Sequence, residues 1–367
     1  MISTDFELHV SARRLLVVLV VALIPLIAVS LYVVTEAEQT GRQSLGMHFA
    51  NIAKISASDV SRYVQDRIIG VHVLAQAPTV VEAVRAANLR ARTETDAAFQ
   101  QRVERTERIW ATAEAAPITS AILGAPASRL FRSQIAADGR LLRMILTDAR
   151  GAVIAASHKT LDFYQADEEP WQAAYADGRG AVYASAVRFD EVTKRDFVYL
   201  AMPVVESESE PFAGVLEVLI DVAGLLPQDT PLSEGSTFRR MLVTGEGRVV
   251  SAPGIVFSMD ASSPEFASVR ETGGGGLGNA GFIVSGSGSQ EELIGYADTG
   301  LGAQLKNLDL RVLVTQETRE ALVGVSGLTR LIWILALSAM ALLTVAAAYF
   351  TLHRRVRYED VSAALDS

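Results

Sequence analysis

Apolar residues fall along this chain in three rhythms, and each predicts a different kind of element. Two runs are almost uninterrupted, Leu15 to Val34 and Leu331 to Leu352. A helix of roughly 20 apolar residues crosses a hydrocarbon core about 30 Å thick, so both runs are predicted to be transmembrane helices. From Leu45 the positions Phe49, Ile52, Ile55, Val60, Val64, Ile68, Val71 and Leu74 recur at helical steps, with Lys54, Asp59, Arg62 and Asp66 between them. That rhythm predicts an amphipathic helix. No proline lies between Val34 and Pro78, so one helix is expected to continue out of the first span for about 60 Å. Residues 79–115 extend the helical reading through Val80, Val84, Phe99, Val103, Ile109 and Trp110. The apolar stripe reads either as the core face of its own domain or as a seam with a second copy of the chain, and the sequence leaves both open.

The third rhythm is short and strand-like. Leu141 to Thr147 and Val153 to Ser157 flank Asp148-Ala149-Arg150-Gly151 and read as strand, tight turn, strand. The pattern returns at Arg240 to Thr244, Gly245-Glu246-Gly247 and Arg248 to Ala252. Further strands follow each copy: 181–185, 197–203 and 214–222 after the first, and 281–285, 292–298 and 310–315 after the second. The fold class implied is α+β, with two tandem antiparallel-sheet domains on a long N-terminal stalk helix, flanked by two transmembrane helices. The expected divisions are 1–14 cytoplasmic, 15–34 first span, 35–119 stalk and helical region, 120–228 first domain, 236–318 second domain, 331–352 second span and 353–367 cytoplasmic tail.

Charge orients the spans. Arg13 and Arg14 precede the first, His353, Arg354, Arg355 and Arg357 follow the second, and Glu36 and Glu38 lie beyond the first. Basic flanks favour the cytoplasmic side, so residues 35–330 are expected on the outer side of the membrane. A cleaved signal core is usually about 7–15 apolar residues, shorter than the first run, so a retained anchor is expected. Charges before Leu15 and after Leu352 cancel, which assigns the net charge of −9 to the outer part and argues against a nucleic-acid partner. With no cysteine, a disulfide framework and thiolate chemistry are excluded.

Two spans, a stalk helix and two PAS-like domains in tandem together resemble the double Cache ectodomains of bacterial chemoreceptors, histidine kinases and cyclic-dinucleotide enzymes. The resemblance covers about residues 15–355 and rests on architecture more than on any one motif. It implies that the membrane-distal domain, about 120–228, holds a small-molecule ligand and that the proximal one, about 236–318, relays the signal. Many amino-acid-binding members show a tyrosine, an arginine and a tryptophan in one segment and an aspartate on a later strand. Here Tyr164 and Trp171 match, whereas Glu169 stands in the place of the arginine and Leu219 in that of the aspartate; Asp221 then reads as structural. A carboxylate at Glu169 repels the carboxylate it should clamp, which argues against a standard α-amino-acid ligand.

The candidate ligand-binding residues are Tyr164, Asp167, Glu168, Glu169, Trp171, Tyr183 and Asp190, with Tyr175 beside them. Aromatic faces with carboxylates suit a cationic or polyhydroxylated solute. A second reading stays open: Asp167 to Pro170 is also a good helix start, and Trp171 and Tyr175 at a four-residue spacing fit a core. Glycines 273–276 and 278 lack the Lys-Ser/Thr of a phosphate loop, the histidines lack metal-ligand spacing, and Gly286-Ser287-Gly288-Ser289 lacks the setting of a nucleophile elbow. No catalytic residue, metal site or cofactor is therefore expected, and the chain is read as a non-enzyme. Fifteen residues after the second span are too few to bury a core, so output is expected through a separate cytoplasmic signalling protein unless the chain is a fragment. The competing class is an exported structural or interaction module that binds another protein.

Overall fold

The computed structural model describes residues 12–190, 195–206, 212–222, 225–226, 236–252, 262–272, 278–323, 327, 330–346 and 349. They fall into two compact units. One is drawn from Met1–Met47, Ser287–Glu291 and Glu317–Ser367, the other from His48–Gly286 and Glu292–Gln316. The glycines at 273–276 and the tail after Tyr349 lie outside the described residues.

Helix α1 covers Ala12–Ala75. It stops where Ala77 turns extended (φ −60°, ψ 136°) ahead of Pro78, whose ring disfavours a helical residue before it. After a 55° bend come α2 (Pro78–Ala91), α3 (Asp96–Trp110), α4 (Ala116–Gly124) and α5 (Pro126–Ala137). Proline opens α2 and α5, and Thr95 caps α3 by accepting from the Ala98 amide. Among the described residues no single helix is long and apolar enough to cross a membrane; the bent pair Leu23–Ala75 and Pro78–Ala91 is so by length and composition alone. Most of the second apolar run forms a shorter helix, Arg330–Ala346. Both runs leave large apolar side chains exposed, among them Ile24, Leu31, Leu335 and Leu342.

The larger unit carries two antiparallel sheets. Strands β1 (Leu141–Thr147) and β2 (Val153–Ala156) are followed by α6 (Glu169–Tyr175), β3 (Tyr183–Ala184), β4 (Arg188–Asp190), β5 (Arg195–Val204) and β6 (Gly214–Asp221). They pair in the order β2-β1-β6-β5-β3, with β4 also on β5. The second set is β7 (Arg239–Thr244), β8 (Val249–Ser251), α7 (Pro264–Thr272), β9 (Ala280–Ser285), β10 (Glu292–Asp298) and β11 (Leu310–Glu317), and a short α8 (Thr318–Ala321) follows in the smaller unit. Its order, β8-β7-β11-β10-β9, is the first sheet's order over again.

The repetition extends to single hydrogen bonds. Asp148 N donates to Ala152 O and Gly151 N to Asp148 O; Thr244 N donates to Arg248 O and Gly247 N to Thr244 O. The Asp148 carboxylate receives the Ala152 amide, as the Thr244 hydroxyl receives that of Arg248. Gly151 and Gly247 both stand at φ near +90° (88° and 90°), a region that favours glycine. In each copy the glycine carbonyl then accepts from a returning segment, at Gln165 and at Ser263.

Helix α1 seats on the second sheet with the Phe49 ring 6.0 Å from that of Phe238, Ser56 bonded by Arg240, and its backbone against Gly295. A Cβ on Gly295 would lie 2.6 Å from Phe49 O and 2.7 Å from Ala50 N. That approach selects small residues, and Ala53, Ser56 and Ala57 are buried, whereas Ile55 is 63% exposed. The apolar stripe differs from the sequence reading at Ile55, which points away from the face that carries Phe49, Ala53, Ala57 and Val60. Further along, Tyr63, Val64 and Ile68 meet Val198, Leu200 and Ile220 on the back of the first sheet. Arg67 pairs there with Asp138, and Arg67 and Arg140 both lie over the Tyr63 ring, at 4.8 and 5.0 Å.

Candidate ligand-binding site

The other face of the first sheet builds a polar cavity. Antiparallel pairing sets Arg143 of β1 opposite Leu219 of β6, which lies opposite Tyr199 of β5; the next row is Ile145, Glu217 and Ala201. Successive odd residues on these strands point to one face, so Arg143, Tyr199 and Glu217 converge. The β1–β6 register shifts between Leu141 and Arg143, an irregularity of the kind that re-aims a side chain beside a site. The segment 160–170 covers these rows and contributes Thr160, Asp162, Gln165, Glu168 and Pro170, while Arg188 of β4 closes one side. The enclosed space is about 170 Å³, below the roughly 300–1,000 Å³ of sites for drug-sized molecules. Leu161 stands at its mouth, 89% exposed.

Two polar atoms in this lining are buried without a hydrogen-bond partner, Arg143 Nε and Glu217 Oε1. Another Arg143 nitrogen, Nη2, donates to the Tyr199 hydroxyl at 3.2 Å. Glu217 is 2% exposed, and burial pushes its carboxyl up to about 7; Arg143 pulls the other way, and the charges of Glu168 and Asp162 add to the rise. Asp162 and Glu168 are themselves held above the ordinary carboxylate range, each chiefly by burial. A side-chain bond from Gln165 opposes the rise at Asp162. Arg188 is already occupied: Glu169 Oε2 lies 2.6 Å from it, and Glu169 Oε1 accepts from the Tyr183 hydroxyl at 2.6 Å. The bond from Tyr183, then Arg188, lowers the Glu169 carboxyl despite some desolvation, while burial and Glu169 push the Tyr183 phenol up to about 12.

Of the residues expected here from the sequence, Glu168 lines the cavity. Glu169 and Tyr183 form the pair that neutralises Arg188 on its flank. Trp171 lies in a separate buried cluster with Ala174, Ala201 and Val215; its Nε1 donates to Thr147 Oγ1 at 3.0 Å, and its ring stacks on Tyr175 at 5.1 Å. Tyr164 bridges to Ala152 and packs its ring 6.2 Å from Phe99, in the cluster between α3, α4 and the β1–β2 hairpin. The aromatic pair thus diverges into two cores, because Tyr164 bridges to Ala152, just before β2, while Trp171 lies in the first turn of the helix laid over β5 and β6. Asp167 is exposed, and its charge raises Asp162 and Glu168. Asp190 ends β4, opposite Arg195 in register. Leu219 is buried, and Asp221 pairs with Arg195 at 2.8 Å, which fits its structural reading.

The residues that sequence reasoning passed over are Arg143, Asp162, Arg188, Tyr199 and Glu217. Arg143 and Glu217 did carry a signal: each is a charge set inside an otherwise apolar central strand, a costly placement that usually has a purpose. Among the described residues no group of three or more His, Asp or Glu is placed to hold a metal ion.

No protein-family model and no curated protein matches the chain. Solved structures similar to it include ligand-binding domains of bacterial chemoreceptors. They are sensor domains of the double Cache type, the family that the sequence resembles. One is the Campylobacter jejuni chemoreceptor Tlp3 in complex with L-norvaline, 12% identical, covering 77% of this chain and 94% of that one at a TM-score of 0.49. Another is the Pseudomonas aeruginosa amino acid chemoreceptor PctB with L-Arg, 15% identical, covering 76% and 97% at 0.43. A third is Pseudomonas fluorescens CtaA with L-leucine, 12% identical, covering 77% and 99% at 0.45.

Proposed function

We propose that this chain is a membrane-anchored extracytoplasmic sensor that binds a small solute over its first sheet and signals to a separate cytoplasmic protein. The observation that carries the reading is the cavity with Arg143 Nε and Glu217 Oε1 buried and unpartnered. Buried polar groups are almost always satisfied in a folded protein, and a solute offering one acceptor and one donor satisfies both. The exposed apolar side chains of both terminal helices support two spans, with residues 120–228 as the binding domain and 236–318 as the relay. Ile55, Ile69 and Val73, exposed along one side of α1, support a homodimer seam.

The test is a thermal-shift screen of the full chain in lipid nanodiscs against amines, amino acids, organic acids, sugars and nucleobases. A solute at a hundred times its dissociation constant adds about 2.7 kcal/mol. A saturable shift that Arg143→Gln or Glu217→Gln reduces is expected. Silence across the panel, or hits indifferent to both variants, would overturn the reading in favour of a protein partner. Because the chain has no cysteine, single cysteines at 40 and 362 labelled from either side of the membrane report the topology directly.

A further inference from the structure

We infer that the cavity takes a solute carrying an amine or another hydrogen-bond-donating cation, with that charge seated on the Glu217 carboxylate. This rests on the cavity being the solute site. Three carboxyl groups line it, those of Asp162, Glu168 and Glu217, against the guanidinium groups of Arg143 and Arg188. Glu169, outside the lining, already holds Arg188, which leaves the acids in excess over Arg143 alone. Such an excess in a partly enclosed space favours a cation and disfavours an anion.

The floor of the cavity gives the cation a particular seat. Glu217 lies between Ile145 and Ala201 in its register row, neither of which offers a hydrogen bond from its side chain, and its Oε1 has none. The cavity side of the sheet is open to a donor for that oxygen. An ammonium group supplies up to three donors from one atom, enough for Glu217 and a carboxyl of the covering segment. A metal ion is a poorer occupant, since no three ligands are placed for one among the described residues. Arg143 Nε, one strand away, takes an acceptor on the same solute, and a hydroxyl or carbonyl suffices there.

Seating a cation on Glu217 requires its carboxylate form. The charged and titratable groups facing it are Arg143 from β1, Tyr199 from β5, Arg188 from β4, and Asp162 and Glu168 from the covering segment. With the free carboxyl titrating at about 7 and an alkylamine protonated throughout, binding expels the Glu217 proton. Affinity should then rise about tenfold between pH 6 and pH 8.

The experiment is calorimetry on the full chain in nanodiscs with three probes built on a four-carbon chain: 1,4-diaminobutane, n-butylamine and n-butyrate. Expected are binding of the amines and not of butyrate, about tenfold tighter amine binding at pH 8 than at pH 6, and loss of at least tenfold in Glu217→Gln together with the pH dependence. Glu168→Gln should weaken amine binding less. Should Glu217→Gln fold poorly, the wild-type pH profile and Glu168→Gln still decide. Binding of butyrate without the amines, or amine affinity flat with pH, would overturn the cation assignment while leaving a solute sensor standing. Failure of every probe here and of the wider solute panel would overturn both.

Discussion

Replacing Glu217 by glutamine should stabilise the empty protein, and only above mildly acidic pH. The carboxyl is ordinary at 4.5 and is held at about 7 in the folded state. The folded protein thus keeps a proton that the unfolded chain gives up between those values. Stability is whole below the unfolded value and falls as pH rises toward the folded one, because unfolding then frees a carboxylate from an unfavourable site. A shift of that size at 1.36 kcal/mol per unit amounts to about 3 kcal/mol at pH 8. Glutamine fills the same space with no charge to bury. The difference between variant and wild type, without ligand, should be flat near pH 4 and grow to about 3 kcal/mol by pH 8, or roughly 6–12 °C in Tm for a unit of this size. Asp196, which burial pushes up to about 7 beside Asp221, bends the wild-type profile in the same direction, so only the difference between the two proteins is diagnostic. A difference in Tm that stays constant from pH 5 to pH 8 would refute the claim that burial holds the Glu217 carboxyl up. A residue that strains the fold when empty and becomes satisfied when occupied is what a binding site costs.

Other substitutions follow from the same contacts. Trp171→Ala should lose about 3–5 kcal/mol in chemical denaturation, as large buried aromatics do; a loss below about 1 kcal/mol would contradict its place in the core. Gly295→Val should cost about 1–3 kcal/mol, because its methyl groups meet the α1 backbone at Phe49 and Ala50, and hydrogen exchange should rise first along residues 49–60. Glu169→Gln should change stability little, since its pair with Arg188 is exposed. It releases Arg188 beside the cavity, however, and should improve the affinity of n-butyrate relative to n-butylamine in calorimetry.

Much of the architecture was legible because it is local. Both hairpins follow from a turn whose hydrogen bonds lie within five residues, and Pro78 marks the end of α1 by its own ring. The site was less legible because it is assembled by register. Arg143 and Glu217 stand far apart in sequence, and only the pairing of β1 with β6 sets them on one face. Tyr164 and Trp171, neighbours in a short segment, are separated in space by the switch from strand pairing to helix. Glu169 kept the charge expected of it but spends that charge on Arg188 and Tyr183. The small residues Ala53 and Ala57 were illegible for the same reason, since the backbone they approach is set by Gly295, far along the chain.

The seat of α1 on Gly295 also restricts how that helix can move. The backbones touch where Gly295 has no side chain, and the helix presents Ala53 and Ala57 one and two turns further on. A slide along the axis by one turn, about 5.4 Å, puts another alanine over the slot. A roll instead brings Ile52 or Lys54 into it and wedges the helix off the sheet. The groove therefore resists twist, while the Ser56–Arg240 bond and the Arg67–Asp138 pair fix the axial position of the helix. If α1 carries a signal as displacement along its axis, those two contacts must break, and Ala53→Leu should jam transmission while Lys54→Leu leaves it running, read as cross-linking rates between cysteines placed on the first apolar run.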